Sequence, residues 1–554
     1  MLGDSMMLGG GRKAAYSIEN SLLFRGAQKL SRTFTTPTAQ YIWTFRALVR
    51  REALGVAGNG QVLFGATSGS GSSSSIGFTT SDQLFVNSSD VSVVTSTAVS
   101  RDPTSWYDVL VSSDGTTVKG CVNGVEVFSY AGAITWINTA LVHEVGERNF
   151  GGHYYKGYMA EVCFVDGQAL PPGRFGETDP VTGSWRPKAI TGITWGNNGF
   201  YLGKPWKGAG LGTDYSGRGN HWTATGFAAN DVRNDSPTNI YATLNPLYFQ
   251  SAGASGPYSP SQTPVFSDGN GSFSIGASPS SWANPTGVAA THAILPGTRV
   301  YFECAVLKPS YFSLTCGIGT SADVTKPTAG THPNGGGAGW TQTSVGLLRV
   351  RDTGDDRGAV YANAVAVPGW GAVGSSISAV QVAVDLVNNR MWIGQGGTWL
   401  NGSNPDVLES GIPLTGGVSY FPWFTLSTYS SGENGLTTNF GQKPFLYPVP
   451  TGFQPLCSAS SPATTGQTSG SFIGNGSTNG PCIYTGAVPL TLSINGNAVV
   501  WGTHADKLAT GFKIRAASAS YNAAGSNTWM ATYASPQKPT VGPKGRAPAN
   551  AQGN

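Results

Sequence analysis

The sequence predicts an all-β protein built from several short-stranded units in tandem. Three observations predict it. Gly contributes 78 of 554 residues, about double an ordinary share. Charge is scarce: 33 Lys and Arg and 29 Asp and Glu make up 11% of the chain. Aromatic residues reach another 11%, so the chain has the bulky side chains that a disordered linker lacks. Turn-formers among β-branched and aromatic runs read as strands closed by tight turns, and helical periodicity is almost absent.

Taken in order, the first block shows strand runs at YIWTFRALVR (41–50), SWYDVLVSSDG (105–115), VKGCVNGVEVFSY (118–130) and GYMAEVCFVDGQAL (157–170). Asn123-Gly124 sits between alternating residues and predicts a type I′ hairpin turn, because both residues tolerate positive φ. Residues 205–249 are polar and turn-rich and read as a connector packed locally through Trp206 and Trp222. A second strand-rich block covers 250–457, with RVYFECAVL (299–307), FSLTCGIG (312–319), SVGLLRV (344–350), AVQVAVDLVNNRMWIG (379–394) and YFPWFTLSTY (420–429). Its connecting loops, THPNGGGAGW (331–340) and RDTGDDRGAVYANAVAVPGWG (351–371), are long and Gly-rich. A Ser/Thr/Gly run opens a small third block over 458–535, where Asn495-Gly496 is a second hairpin signal. Residues 1–13 have no core of their own and read as an attachment segment, and 536–554 as an extended tail.

Several function classes are excluded on composition. A net charge of +4 and the lack of a long Lys/Arg run leave no footprint for nucleic acid. No stretch of about 18 apolar residues predicts a membrane span, and the opening residues lack a secretory pattern. The six cysteines are widely spaced without a CxxC pair, which predicts small buried hydrophobes in a reducing cytoplasm. Cys304 and Cys316 are the one pair that neighbouring strands could join. The six histidines show no metal-ligand spacing.

The run AEVCFVDGQAL (160–170) followed by FGETDPVTGSWRPK (175–188) resembles the concanavalin A-like, laminin-G-type jelly roll of phage virion and tail-fibre proteins. On that resemblance residues 14–204 form the first sandwich. The stretch VQVAVDLVNNRMWIGQGGTWL (380–400), with Met391-Trp392, Gly397, Trp399 and then Asn439-Phe440-Gly441, resembles a SPRY domain. Residues 458–535 resemble small β modules that end phage fibre chains. The fold class is therefore all-β: tandem jelly-roll sandwiches with a small C-terminal β domain.

Candidate chemistry is thin. His504-Ala505-Asp506 puts a His and a carboxylate on one strand face, but no activated Ser or Cys stands beside them. Asp352, Asp355 and Asp356 in RDTGDDRG offer oxygens to Ca²⁺ or to sugar hydroxyls, or form a loop neutralised by Arg351 and Arg357. Asp214 to Asn220 is similar to a turn common in laminin-G-type domains, where Asp and Asn cap backbone N–H groups; calcium is the second reading. Trp340 and Trp370 beside loop glycines, and His153-Tyr154-Tyr155, are aromatic candidates for stacking on sugar rings.

These features predict no enzyme and no required cofactor, with calcium as the one candidate ion. The resemblance implies a virion appendage, a tail fibre or related protein. It would be made in the host cytoplasm and displayed on the particle. Its partners would be other virion proteins through the N-terminal segment and a bacterial surface glycan or protein through sandwich loops. A homo-oligomer, with a trimer favoured, is implied by the resemblance alone. A purely structural virion component is the alternative, and a glycan-degrading tailspike-like enzyme the minor one.

Overall fold

The computed structural model describes residues 16–537, apart from 56–59, 69–71, 149–151, 180–183, 207–209, 252–262, 277–285, 308–311, 321–344, 353–354, 363–364, 371–378, 429–433, 461–463, 479, 486–487 and 509–510. The described residues are almost all strand and turn, and helix amounts to single turns such as Ala519–Asn522. The N-terminal attachment segment and all but the first two residues of the tail lie outside them.

The first sandwich pairs an eight-stranded and a seven-stranded sheet. The eight-stranded sheet is centred on Ile42–Arg51, flanked by Tyr107–Asp114 and Lys156–Asp166. The seven-stranded sheet runs Thr223–Thr225, Lys29–Thr33, Val142–Val145, Gln61–Thr67, Ser73–Phe78, Gln83–Ser88 and Val91–Val99. Aromatic rings fill the space between the sheets, with Phe45 and Phe64 stacked at 4.9 Å and Phe34 on His143 at 3.7 Å. Burying each such side chain stabilises the fold by about 2–3 kcal/mol. Asn123 and Gly124 join Thr117–Val122 to Val125–Ala131 with φ of +51° and +77°, so the Asn-Gly hairpin is present.

The region 205–249 is not a locally packed connector. Trp206 and Trp222 lie in the core of the first sandwich. Thr223–Thr225 extends one sheet and Val232–Arg233 the other. Both tryptophans need more apolar surface than a short polar segment supplies, and the sandwich edges supply it.

The second sandwich has a seven-stranded and a nine-stranded sheet. The first includes Phe421–Thr428, Phe312–Gly319 and the hairpin Val345–Asp352 with Asp355–Ala362. The second places Arg299–Val306 between Asn434–Asn439 and Val380–Asp385, followed by Arg390–Gln395. Its core is built round the buried Trp392, Phe302, Phe424 and Phe440. Cys304 and Cys316 are both buried and free. They lie on opposite sheets of this sandwich rather than on neighbouring strands. The C-terminal unit combines a four-stranded and a three-stranded sheet over a smaller core containing Phe472, Ile494 and Phe512. Asn495-Gly496 forms its hairpin turn, again with positive φ at both positions.

The two sandwiches meet across a polar seam. The turn Asp268-Gly269-Asn270 has positive φ at all three residues. It presents the Gly269 N–H to the Glu52 carboxylate at 2.6 Å and the Gly269 carbonyl to the Tyr158 hydroxyl at 2.8 Å. A Cβ at Gly269 would overlap that hydroxyl, so only Gly fits. Arg50 crosses the same seam to Asp235, the Tyr241 carbonyl and Thr243.

Candidate functional site

The outward face of the seven-stranded sheet carries a polar cluster that includes sequence-predicted residues. Strand alternation places it. Leu30, His143, Val145, Phe64 and Ile76 point into the core, so Lys29, Glu144, Gly65 and Ser75 point away from it. Arg148 then lies over this face. A Cβ on Gly65 would stand 3.6 Å from the Arg148 Cβ.

Charge is shared tightly here. The Lys29 ammonium bridges Glu144 at 2.9 Å and Glu147 at 3.0 Å. Burial acts to lower the Lys29 pKa, but its hydrogen bonds to the two carboxylates outweigh that and raise it. Burial raises the Glu144 carboxyl, and Lys29 opposes the rise. Nearby, Arg148 meets the His153 ring at 2.9 Å and Asp90 at 3.4 Å, and Asp90 also accepts from the Ser73 hydroxyl at 2.7 Å. Tyr154 stands at the rim, where the charge of Glu147 holds its phenol above the usual range. Among the described residues, Glu144 Oε2, Ser75 Oγ and Arg148 Nε have no hydrogen-bond partner.

Glu144, Glu147, Ser73 and Ser75 are buried, and Lys29 and Tyr154 are partly exposed, so a hydroxyl-rich ligand would meet this cluster at its rim. Two carboxylates so close together are also what a glycosidase uses. Here, however, Lys29 occupies the space between them, where a glycosidic oxygen would have to lie. Among the described residues, no group of three or more His, Cys, Asp and Glu is arranged to hold a metal ion.

The structure separates the other predicted residues. Of the aromatic triplet, Tyr154 alone is partly exposed. Tyr155 is fully buried and donates to the Arg50 carbonyl at 2.9 Å, while His153 is buried against Arg148. Tyr155 packs in the core of the first sandwich just before the strand Lys156–Asp166, so it cannot stack on a sugar. Trp370 is also buried, inside the second core, since its loop packs against that sandwich. Trp340 lies outside the described residues. Asp352 and Asp355 are register partners that flank the turn of a hairpin, and Asp356 is the backbone register partner of Arg351, so the acidic run belongs to strand ends rather than to a long loop. Trp399 packs on the second core.

Asp214 accepts from the N–H groups of Tyr201, Ser216 and Asn220 at 2.8–2.9 Å, which is the turn-capping role. Asp506 pairs with Arg515 at 2.8 Å, and His504 stacks on Tyr521 at 4.0 Å, so neither is arranged as a catalytic pair. Sequence reading missed Lys29, Glu144, Glu147, Arg148 and Asp90. The stretch HEVGE at 143–147, a strand end with two acids three apart, is the signal that marks two of them.

Fold and site together define the class of one domain: the first sandwich is concanavalin A-like. Residues 27–172 match the laminin-G-type family model described as the concanavalin A-like lectin/glucanases superfamily. That match contains Lys29, Asp90, Glu144, Glu147, Arg148 and Tyr154. No curated protein matches the chain. Solved structures similar to this chain include a candidate carbohydrate binding protein from Bacteroides ovatus, at 16% identity over 38% of this chain, with a TM-score of 0.29. This chain spans 60% of the length of that protein. Domains LG4-5 of the mouse laminin alpha1 chain share 10% identity over 74% of this chain and 84% of theirs, with a TM-score of 0.25. The SPRY domain of human HERC1 shares 12% identity over 36% of this chain and 99% of its own, with a TM-score of 0.23.

Proposed function

We propose that the protein is a non-enzymatic binding protein. It holds a bacterial surface glycan on the outward face of its first sandwich and serves as a tail fibre or related appendage of a phage particle. The observation that carries the binding reading is the Lys29–Glu144–Glu147 cluster with Tyr154 at its rim, on a sheet face lined by Ser and Gly. Shared charges leave the face nearly neutral while offering many hydrogen-bonding groups, which suits hydroxyls better than ions. The family description of residues 27–172 supports the same reading. The phage setting is supported by the sequence resemblance. Assembly as a homo-oligomer belongs to the proposal, because repeated weak sites gain avidity.

The test is retention of the full chain on immobilised surface polysaccharide from candidate host bacteria. Tyr154→Ala, at the rim and outside the core, should weaken retention at least tenfold without changing thermal stability. Unchanged retention in Tyr154→Ala and in Lys29→Ala would remove this face as the binding site. No retention of the unaltered chain by any host polysaccharide would favour a structural virion role.

A further inference from the structure

An open surface pocket of about 410 Å³ lies on the second sandwich, with Ser460 at its edge, apart from the first-sandwich cluster. It opens where the start of Arg299–Val306 meets the turn after Val380–Asp385 and the segment at Gly452–Gln454. Backbone bonds fix its walls: Gly297 N–H to the Leu386 carbonyl at 3.1 Å, and Leu386 N–H to the Thr298 carbonyl at 2.8 Å.

Arg299 lines this pocket with only one face of its guanidinium engaged. Its Nε donates to Asp385 Oδ2 at 3.0 Å. Asp385 is fully buried and saturated. It also accepts from the Val387 and Asn388 N–H groups and from the Asn388 amide. The carboxylate therefore orients the guanidinium and has nothing left to give its terminal nitrogens, which have no other partner among the described residues. Gly452 keeps the space in front of them open. A Cβ there would stand 3.4 Å from one terminal nitrogen, and its φ of +81° disfavours any other residue. Val387, 54% exposed, supplies an apolar rim, and Gln454 also lines the pocket.

We propose that this pocket binds a carboxylate carried on a polyol ring, the chemistry of a uronic or other acidic sugar. A guanidinium held from behind presents its two terminal N–H groups as a fork that matches a carboxylate. Val387 contacts the ring carbons, and Gln454 meets a hydroxyl. The volume suits one monosaccharide unit. The site is independent of the first-sandwich reading, so Lys29→Ala leaves it unchanged.

The full chain is titrated calorimetrically with glucuronate, acetate and glucose. Glucuronate is expected to bind saturably with a Kd of millimolar order, acetate at least tenfold more weakly, and glucose not at all. Arg299→Gln should weaken glucuronate at least tenfold. Val387→Glu, an exposed change that leaves the Arg299–Asp385 pair intact, should do the same and so separates lost binding from lost folding. Absence of saturable glucuronate binding would overturn the proposal. So would glucose binding as tightly as glucuronate, or unaltered affinity in both variants. Acetate binding as tightly as glucuronate would reduce the site to one for a bare anion and overturn the sugar assignment.

Discussion

Arg46 and Arg50 in the first sandwich share a sequence context with Arg299 in the other, each lying in a strand run, yet they do opposite things. Arg46 is fully buried and meets Asp108 on one side and Glu161 on the other, at 2.7 and 3.1 Å. Arg50 uses its donors on Pro103, Asp235, Tyr241 and Thr243. Both are buried out of reach of a ligand. Arg299 is partly exposed, engaged on one edge and open on the other. A saturated buried arginine is structure, whereas a half-used one beside a pocket is equipped for recognition.

The sharpest way to break the comparison is Arg46→Met. It leaves Asp108 and Glu161 buried against each other without a cation, and the folded state should lose about 4 kcal/mol, read from chemical denaturation. A loss under about 1 kcal/mol would mean that the first-sandwich arginines are not structural.

The seam gives the next effect. Burial holds the Glu52 carboxyl at about 7 against an ordinary 4.5, while the Gly269 N–H pulls it down. Between those values the folded chain keeps a proton that the unfolded chain has released. Stability from this group is present below pH 4.5 and falls as pH rises to 7, by about 3 kcal/mol in all. Glu52→Gln should flatten that part of the profile, as measured by denaturation midpoints at about pH 5 and pH 8. Equal slopes in both proteins would exclude Glu52 as the cause.

Gly269→Ala should cost about 2 kcal/mol, because the new methyl meets the Tyr158 ring at a positive φ. Limited proteolysis between the sandwiches should accelerate in step. The smallest effect belongs to the exposed pair Lys119–Glu126, where both side chains are about half exposed. Lys119→Ala should change stability by less than about 0.5 kcal/mol at ordinary salt.

Much of the fold was legible because it is written locally. Asn123-Gly124 and Asn495-Gly496 announce hairpins by two residues each, and Asp214 closes its turn within six residues. The charged core was not legible. Arg46 reaches Asp108 and Glu161 across 62 and 115 residues of chain, and Arg50 reaches Asp235 across 185. Alternation puts those arginines on the sheet face away from the main core, and the segments that cover that face come from far along the chain. Glu161 reaches its position through a bulge, where the register shifts after Ala160 and its own φ is +44°. No spacing rule encodes that. The candidate site was half legible: HEVGE and Tyr154 lie within a dozen residues, but Lys29 and Asp90 arrive from other strands. Trp370 shows the converse error, since a tryptophan among loop glycines can still fold back into a core.

The most direct measurement incubates the full chain with host surface polysaccharide and follows both the retained protein and the length of the sugar chains. Binding without turnover predicts saturable retention and chains of unchanged length. Shortened chains would contradict it, and would mean that Glu144 and Glu147 work as a catalytic pair despite the lysine between them.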